Sequence, residues 1–280
     1  MIAIDRILVR SLFKPRKPSS SKWDHGHALL IAGSRGKAGA VILASKACLR
    51  SGVGLLTAHV PNCLEFPMLV SLPEAMLSFS GVEEFTEILL SEKFTAVGVG
   101  PGIGVSEKTK KAFFSLLETN SLPMVLDADA LNLLASDPDG MSRVLQNSVV
   151  TPHYGEFSRL INKNWSNEEE ILDHAMEFAQ QNSVVLVLKS PSTRIFTPDG
   201  IVYYTTTGNA GLAKGGSGDV LTGMITAFLA QGYSSLNAAC LAVYLHGLAA
   251  DITCEKIALE SMLATDIIEN ISTAFQSLKD

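Results

Sequence analysis

The strongest constraint on this chain is that its short apolar runs are unbroken where an exposed sheet would alternate. "HALLIAG" (27–33), "LLTAHV" (55–60), "AMLSF" (75–79), "FTAVGVG" (94–100), "PMVLDADAL" (123–131), "NSVVTPH" (147–153) and "SVVLVLK" (183–189) carry apolar side chains at consecutive positions. A strand with one wet face alternates apolar and polar residues, whereas a strand covered on both faces has no reason to. Stretches of helical period lie between these runs. "AGAVILASKACLRSG" (38–52) is closed by glycine, and "SEKTKKAFFSLLET" (106–119) has Ser106 in N-cap position. Buried strands separated by helices predict a mainly parallel sheet in a three-layer α/β/α fold. "TRIFTPDGIVYYT" (193–205) departs from this, with two short strands around Pro198-Asp199-Gly200, a hairpin near the end of the sheet. After residue 217 the pattern is helical to the end. With no linker, repeat or low-complexity segment, residues 1–280 are expected to form one domain.

A net charge of −6 excludes the electrostatic footprint of a nucleic-acid binder. The one basic cluster (Arg6, Arg10, Lys14, Arg16, Lys17, Lys22) is expected to be a solvated N-terminal segment, 1–22. "MIAIDRILVRSLF" interrupts each apolar run with a charge, so it has no signal-peptide core. The most apolar region, 220–250, is broken at Gln231–Gly232 and again at Asn237, which predicts two buried helices and a turn rather than a membrane span. The four cysteines (Cys48, Cys63, Cys240, Cys254) show no ligand spacing, and three lie in apolar helices. A reducing, cytoplasmic setting is expected.

Ligands of open parallel sheets bind beyond the carboxyl ends of the strands, and five unusual loops fall there. In "GSRGKAG" (33–39) Ala38 follows Lys37 where a Walker A loop needs Ser or Thr, so these glycines allow close backbone approach at a helix start or form an ordinary turn. "GVGPGIG" (98–104) fits a dinucleotide fingerprint poorly. Asp127 and Asp129 stand at a strand end and suit a magnesium ion or proton transfer. For Asp129, helix capping is an equal alternative. His153 is a ligand donor or a structural histidine. Glu156 is a metal ligand or an acid favoured by a helix start. His174 reads as an exposed helix residue.

"GNAGLAKGGSGDVLTG" (208–223) is the densest loop, with six glycines running into an apolar helix. Its free N–H groups and helix dipole make an anion site, and Ser217 adds a hydroxyl. Asp219 would repel a phosphate held there. It is either a favourable first-turn acid or the base that takes a proton from a hydroxyl attacking that phosphate, and the glycine density favours the base.

"GSRGKAGA", "GPGIG", "LDADALN", "TPHYGEF", "KSPST" and "GNAGLAKGGSGDVLTG", in this order, resemble the ADP-dependent NAD(P)H-hydrate dehydratase family, a carbohydrate-kinase-like branch of the ribokinase-like superfamily. The likeness runs from about "RKPSSSKWDHGHALLIAGS" to "MLATDIIENI", without the fused epimerase domain of some members. It implies repair of hydrated NADH or NADPH, S epimer, with ADP or ATP as co-substrate and Mg²⁺. It implies Asp219 as base, with Gly216, Ser217 and Gly218 holding the moving phosphoryl group. Lys189, Ser190, Pro191, Ser192, Thr193 and Gly218 would bind the adenine nucleotide. Ala40, Gly102 and His153, with Asp219, would contact the hydrated dinucleotide, and Glu156 would help place the metal. Homo-oligomers, such as tetramers, are common in related proteins, and the apolar C-terminal helices would supply the interface.

Tyr154, Ser190 and Ala210 depart from the Pro, Gly and Pro common in the family. Ser190 is strained if its position needs positive φ. Lys214 faces either phosphate or solvent. The rival readings are a kinase of the same superfamily for a vitamin precursor such as hydroxyethylthiazole or a pyridoxal-like alcohol, and a non-catalytic nucleotide sensor.

Overall fold

In the computed structural model, which describes residues 1–88 and 90–279, the unbroken apolar runs are strands and the amphipathic stretches are helices. In chain order these are β1 (Ile2–Ile4), α1 (Arg6–Leu12), β2 (His27–Ile31), α2 (Ala38–Arg50), β3 (Leu55–Val60), α3 (Glu65–Ser71), β4 (Met76–Phe79), β5 (Ala96–Val99), α4 (Glu107–Thr119) and β6 (Met124–Leu126). Then follow α5 (Asp129–Ala135), β7 (Val149–Val150), α6 (Tyr154–Leu160), α7 (Glu168–Gln181), β8 (Val185–Leu188), β9 (Arg194–Phe196), β10 (Val202–Thr205), α8 (Ser217–Ala230), α9 (Ser235–Cys254) and α10 (Ala264–Gln276). The strands make one sheet in the order β1-β10-β9-β8-β7-β6-β5-β2-β3-β4. β9 alone runs antiparallel to its neighbours, β8 and β10. Ser106 caps α4 as expected, its side chain accepting from the Thr109 N–H.

The sheet is covered on both faces, which is why alternation is invisible in its strands. Ala28, Leu30, Ala96, Val125, Val185 and Val187 face α2, α8, α9 and α10. Their neighbours Leu29, Ile31, Val97, Val99, Leu126 and Leu186 face α4, α5, α6 and α7. Small residues on the first face let α8 lie against the strands and against α2. A Cβ on Gly98 would stand 2.2 Å from Thr226 Oγ1, and one on Gly223 would stand 2.0 Å from the Ala44 carbonyl oxygen. α8 is apolar on every side, as a fully enclosed helix must be. Of its fourteen residues only Gly218 and Asp219 escape full burial, and both are in its first turn.

Several expectations change. The N-terminal segment is not simply solvated, because β1 pairs with β10 at one sheet edge and Val9 of α1 is fully buried. Asn237 does not break the chain. Ser234 caps α9 through the Asn237 N–H, and the helix runs on for twenty residues. By length and composition α9 would cross a membrane, but 72% of its most apolar stretch is buried in the fold. In the C-terminal helices, α8 and α9 are largely buried in the fold, and so are Ile267, Ile268 and Ile271 of α10. His174 is half-buried, its ring packed 5.8 Å from that of Trp165.

The strand order reverses between β2 and β5. From β2 the chain moves outward to β3 and β4; from β5 it moves the other way, to β6, β7 and β8. The crevice beyond the carboxyl ends at that point is where a doubly wound sheet receives its ligand.

Candidate active site

The loops after β2 and β5 close on each other at the reversal. The Gly33 N–H donates to the Pro101 carbonyl (2.7 Å) and Ser34 Oγ to the Gly102 carbonyl (2.8 Å). Gly102 has φ +66°, and a Cβ there would stand 3.0 Å from Ala40 Cβ, so these two residues form one narrow lip. A larger cavity of about 710 Å³ opens beyond β6, β7 and β8 and is walled by the first turn of α8 and by α9. That volume suits a small-molecule ligand. His153, Glu156, Lys189, Gly216, Ser217, Gly218 and Asp219 line it, as do Ser190, Pro191 and Thr193. Ala40, Gly102 and Ser192 do not, so the structure divides the candidate residues between a cavity and a neighbouring lip.

The carboxylates after β6 have different tasks. Asp127, 1% exposed, accepts from Lys189 Nζ (2.7 Å) on one oxygen and from Thr222 Oγ1 (2.6 Å) on the other. Asp129 does not cap α5, because the cap position is Ala128, held at φ +49°. Instead Asp129 Oδ2 accepts from Lys37 Nζ (2.8 Å) and the Gly104 N–H (2.9 Å), tying the loops after β2 and β5 to the start of α5. A non-glycine residue at positive φ stores strain, and here it sits on the cavity wall between the two aspartates.

Both readings of His153 and Glu156 converge in one motif. His153 is the N-cap of α6, and its Nδ1 accepts from the Gly155 (3.0 Å) and Glu156 (3.2 Å) N–H groups. Glu156 Oε2 accepts in return from the His153 N–H (2.9 Å). With Nδ1 accepting, the neutral ring carries its proton on Nε2, which lies 3.6 Å from Glu156 Oε1. Glu156 is 8% exposed and lies 3.8 Å from Lys189 Nζ. Among the described residues no group of three or more His, Cys, Asp or Glu side chains is placed to hold a metal. A magnesium ion that arrives on phosphates needs only one or two protein carboxylates, and Glu156 fits that lesser requirement.

Charge is concentrated at the start of α8. Gly216 caps the helix at φ +92°, a left-handed conformation that glycine adopts without penalty. Among the described residues the N–H groups of Gly218 and Asp219 have no protein acceptor, and they point along the positive end of the dipole. A Cβ on Gly218 would lie 3.2 Å from Lys189 Nζ, so the ammonium and these N–H groups face one small space. Burial and then the nearby Asp127 carboxylate raise Asp219 from 3.8 to about 7; Asp129 and Glu156 add to this, and Lys189 opposes it. Burial alone would lower Lys189, but Asp127, Glu156 and Asp219 hold it above its ordinary value. A carboxylate that exchanges its proton near neutrality, beside an anion site, is equipped for general base work.

The departures from the family pattern are absorbed locally. Ser190 is not among the residues at positive φ, so it is unstrained, and its Oγ donates to the Ser192 carbonyl (2.8 Å). Tyr154 begins α6, and its hydroxyl reaches Glu168 (3.0 Å), which also pairs with Arg194. Ala210 begins the short 3₁₀ turn Ala210–Leu212, capped by Asn209. Lys214 stands at the cavity rim with Nζ on the Glu260 carbonyl (2.8 Å).

Two residues escape a sequence reading. Asp251 accepts from the Gly208 N–H and Asn209 Nδ2 (both 2.9 Å), fixing the glycine loop from α9. His246 lines the cavity with Nε2 3.3 Å from Ser217 Oγ. Both lie in the apolar stretch "AVYLHGLAAD", where nothing marks them as facing a ligand.

The family model described as NAD(P)H-hydrate dehydratase matches residues 28–273. The bifunctional NAD(P)H-hydrate repair enzyme Nnr of Escherichia coli is 39% identical over 259 residues, covering 92% of this chain and 49% of that protein. The chain thus spans about half the length of the first curated relatives it matches. The ADP-dependent (S)-NAD(P)H-hydrate dehydratase of Bacillus subtilis is 35% identical, with 96% of each chain covered. A crystal structure of the ADP/ATP-dependent enzyme from Bacillus subtilis, co-crystallised with ATP and Mg²⁺, superposes with a TM-score of 0.87 at 32% identity, covering 99% of this chain and 98% of that one.

Proposed function

The chain belongs to the NAD(P)H-hydrate dehydratase family, and from that premise we propose that it returns hydrated NADH or NADPH, S epimer, to the working dinucleotide, driven by ADP or ATP. The observation that carries this reading is the pairing of a carboxylate raised to about 7 with an anion site made by free N–H groups and an ammonium. A sensor that only binds nucleotide has no use for that carboxylate.

Hydroxide is a poor leaving group, so the nicotinamide ring cannot easily lose its added hydroxyl. Asp219 takes the hydroxyl proton as the oxygen attacks the terminal phosphorus of the nucleotide. The bond from that phosphorus to its bridging oxygen breaks, and the shortened nucleotide leaves with the electron pair. The N–H groups of Gly218 and Asp219, with Lys189, stabilise charge on the moving group. The phosphate then departs with the carbon–oxygen electron pair, pushed by the ring nitrogen, and the adjacent carbon loses a proton to restore the double bond.

The turn 189–193 and Gly218 hold the adenine nucleotide. The lip of Ala40 and Gly102 takes the dinucleotide, with His153 Nε2–H as a donor from the cavity side. Magnesium, bound on the phosphates with Glu156 nearby, would neutralise charge on them. The four free cysteines accord with a reducing, cytoplasmic setting.

The test mixes the purified chain with chemically hydrated NADH, Mg²⁺ and ADP or ATP and follows the reduced-nicotinamide absorbance. Recovery with either nucleotide is expected. Failure with both would refute the reading and favour a kinase acting on a different alcohol.

A further inference from the structure

His246 has no part in the reaction derived above, yet it is 7% exposed in the wall of the cavity where that reaction is placed. It projects from the middle of α9 to Ser217, the first residue of α8, with Nε2 3.3 Å from Oγ. Buried next to an ammonium and a helix N-terminus, the ring stays neutral. Burial and the Lys189 charge pull it down to about 4, against a smaller upward pull from the Ser217 backbone. At the 3.3 Å contact between Nε2 and Ser217 Oγ either group can donate, and the ring tautomer decides which.

A serine hydroxyl has one proton to give. If Ser217 donated it to the imidazole, nothing would remain for a ligand. If the imidazole donates instead, the hydroxyl proton is released toward the cavity. A neutral ring can do this without adding a charge that would compete with Lys189 for the phosphates.

We propose that His246 is a positioning residue for the transfer site: its Nε2–H donates to Ser217 Oγ and turns the serine hydroxyl toward the transferring phosphoryl group. The chain is then Nε2–H to Oγ and Oγ–H to phosphoryl oxygen, a two-link donor anchored in the core. It gives a role to a buried polar side chain in the middle of the apolar helix α9. It also gives Ser217 a defined orientation before any ligand arrives, which is the arrangement that stabilises a transition state without reorganisation. The inference rests on the phosphoryl-transfer reading above.

The experiment compares wild type, His246→Leu, His246→Gln, Ser217→Ala and the Leu/Ala double variant in the absorbance assay, each checked for its melting temperature. His246→Leu and Ser217→Ala are expected to lower kcat about tenfold to a hundredfold, with nucleotide KM changed less than about threefold. The double variant should be no slower than the slower single, because both remove the same donor. Glutamine keeps an N–H donor, so His246→Gln should recover most of the lost kcat. Independent losses that multiply in the double variant, or a glutamine variant as slow as the leucine one, would overturn the proposal. ¹⁵N-histidine spectra of the wild type at pH 7 read the tautomer directly, with the His246 signals assigned by their loss in His246→Gln. A protonated Nε2 with a bare Nδ1 is expected, and the opposite tautomer would overturn the proposal. If the wild type fails to restore hydrated NADH, the functional reading falls, while the spectra still decide the tautomer.

Discussion

Replacing Asp219 by asparagine should trade activity for stability, and the trade should depend on pH. The carboxyl group is raised from 3.8 to about 7 in the folded chain, first by burial and then by Asp127. An acid with a raised folded value contributes stability below its unfolded value, and that contribution is lost as pH rises through the folded value. Across the window from 3.8 to about 7, the native state gives up about 1.4 kcal/mol per pH unit. The total is about 4 kcal/mol at neutral pH, an upper bound because the group is partly open to water in the cavity. Asparagine cannot ionise and carries none of this cost. Asp219→Asn is therefore expected to exceed wild type in stability by about 1–2 kcal/mol at pH 5 and by up to about 4 kcal/mol at pH 8. For a chain of this size the gap in Tm should widen by roughly 5 °C between those two pH values. In the absorbance assay the same variant should lose about 10²–10⁴-fold in kcat. For wild type, kcat/KM should fall on the acid side of about pH 7. Thermal melts of both proteins at pH 5 and pH 8, with the assay at pH 7.5, test each part. An equal Tm gap at both pH values would refute the raised carboxyl group, and undiminished kcat would refute the base.

Lys189→Met leaves the buried Asp127 without its 2.7 Å partner, and denaturant titration should show a loss of about 3 kcal/mol. The same change removes a charge that opposes the rise of Asp219, so the acid limb of any residual activity should move to higher pH. Gly218→Ala puts a methyl group 3.2 Å from Lys189 Nζ, where the flexible ammonium can yield but a phosphate cannot. Its Tm should stay within about 2 °C of wild type while kcat falls at least about tenfold. Gly216→Ala has φ +92° and a 2.6 Å clash with Leu43 Cδ1, and it should cost about 1–3 kcal/mol of stability in the same titration. Ser190→Gly relieves no strain, because Ser190 is not at positive φ, so calorimetry should find nucleotide Kd within about threefold of wild type.

The layer order of the fold was legible because "HALLIAG" and "SVVLVLK" can be buried on both faces and little else. Which face each residue takes was not, since Leu29 and Leu30 are equally apolar and point opposite ways. "GGSGD" pointed to an anion site because glycines at a helix start leave backbone N–H groups open to a ligand, although Gly216 also serves as the left-handed cap of α8. Asp127 and Asp129 looked alike in "LDADAL", and only their partners separate them: Lys189 lies 62 residues from Asp127, and Lys37 lies 92 from Asp129. His153 and Glu156 form a local capping pair three residues apart, but the proton on Nε2 follows only from which ring nitrogen the helix start occupies.

By itself, then, the sequence determined most element types outside the N-terminal segment, the loops that carry polar residues and the chemistry available at each strand end, because these depend on side chains a few positions apart. Tertiary structure alone decided that Ala40 and Gly102 form a lip outside the cavity. It alone brought His246 and Asp251 from an apolar helix to the glycine loop, and raised Asp219 toward neutrality. Those outcomes depend on burial and on charges from distant segments converging within a few ångströms, and no local pattern of residues records that distance.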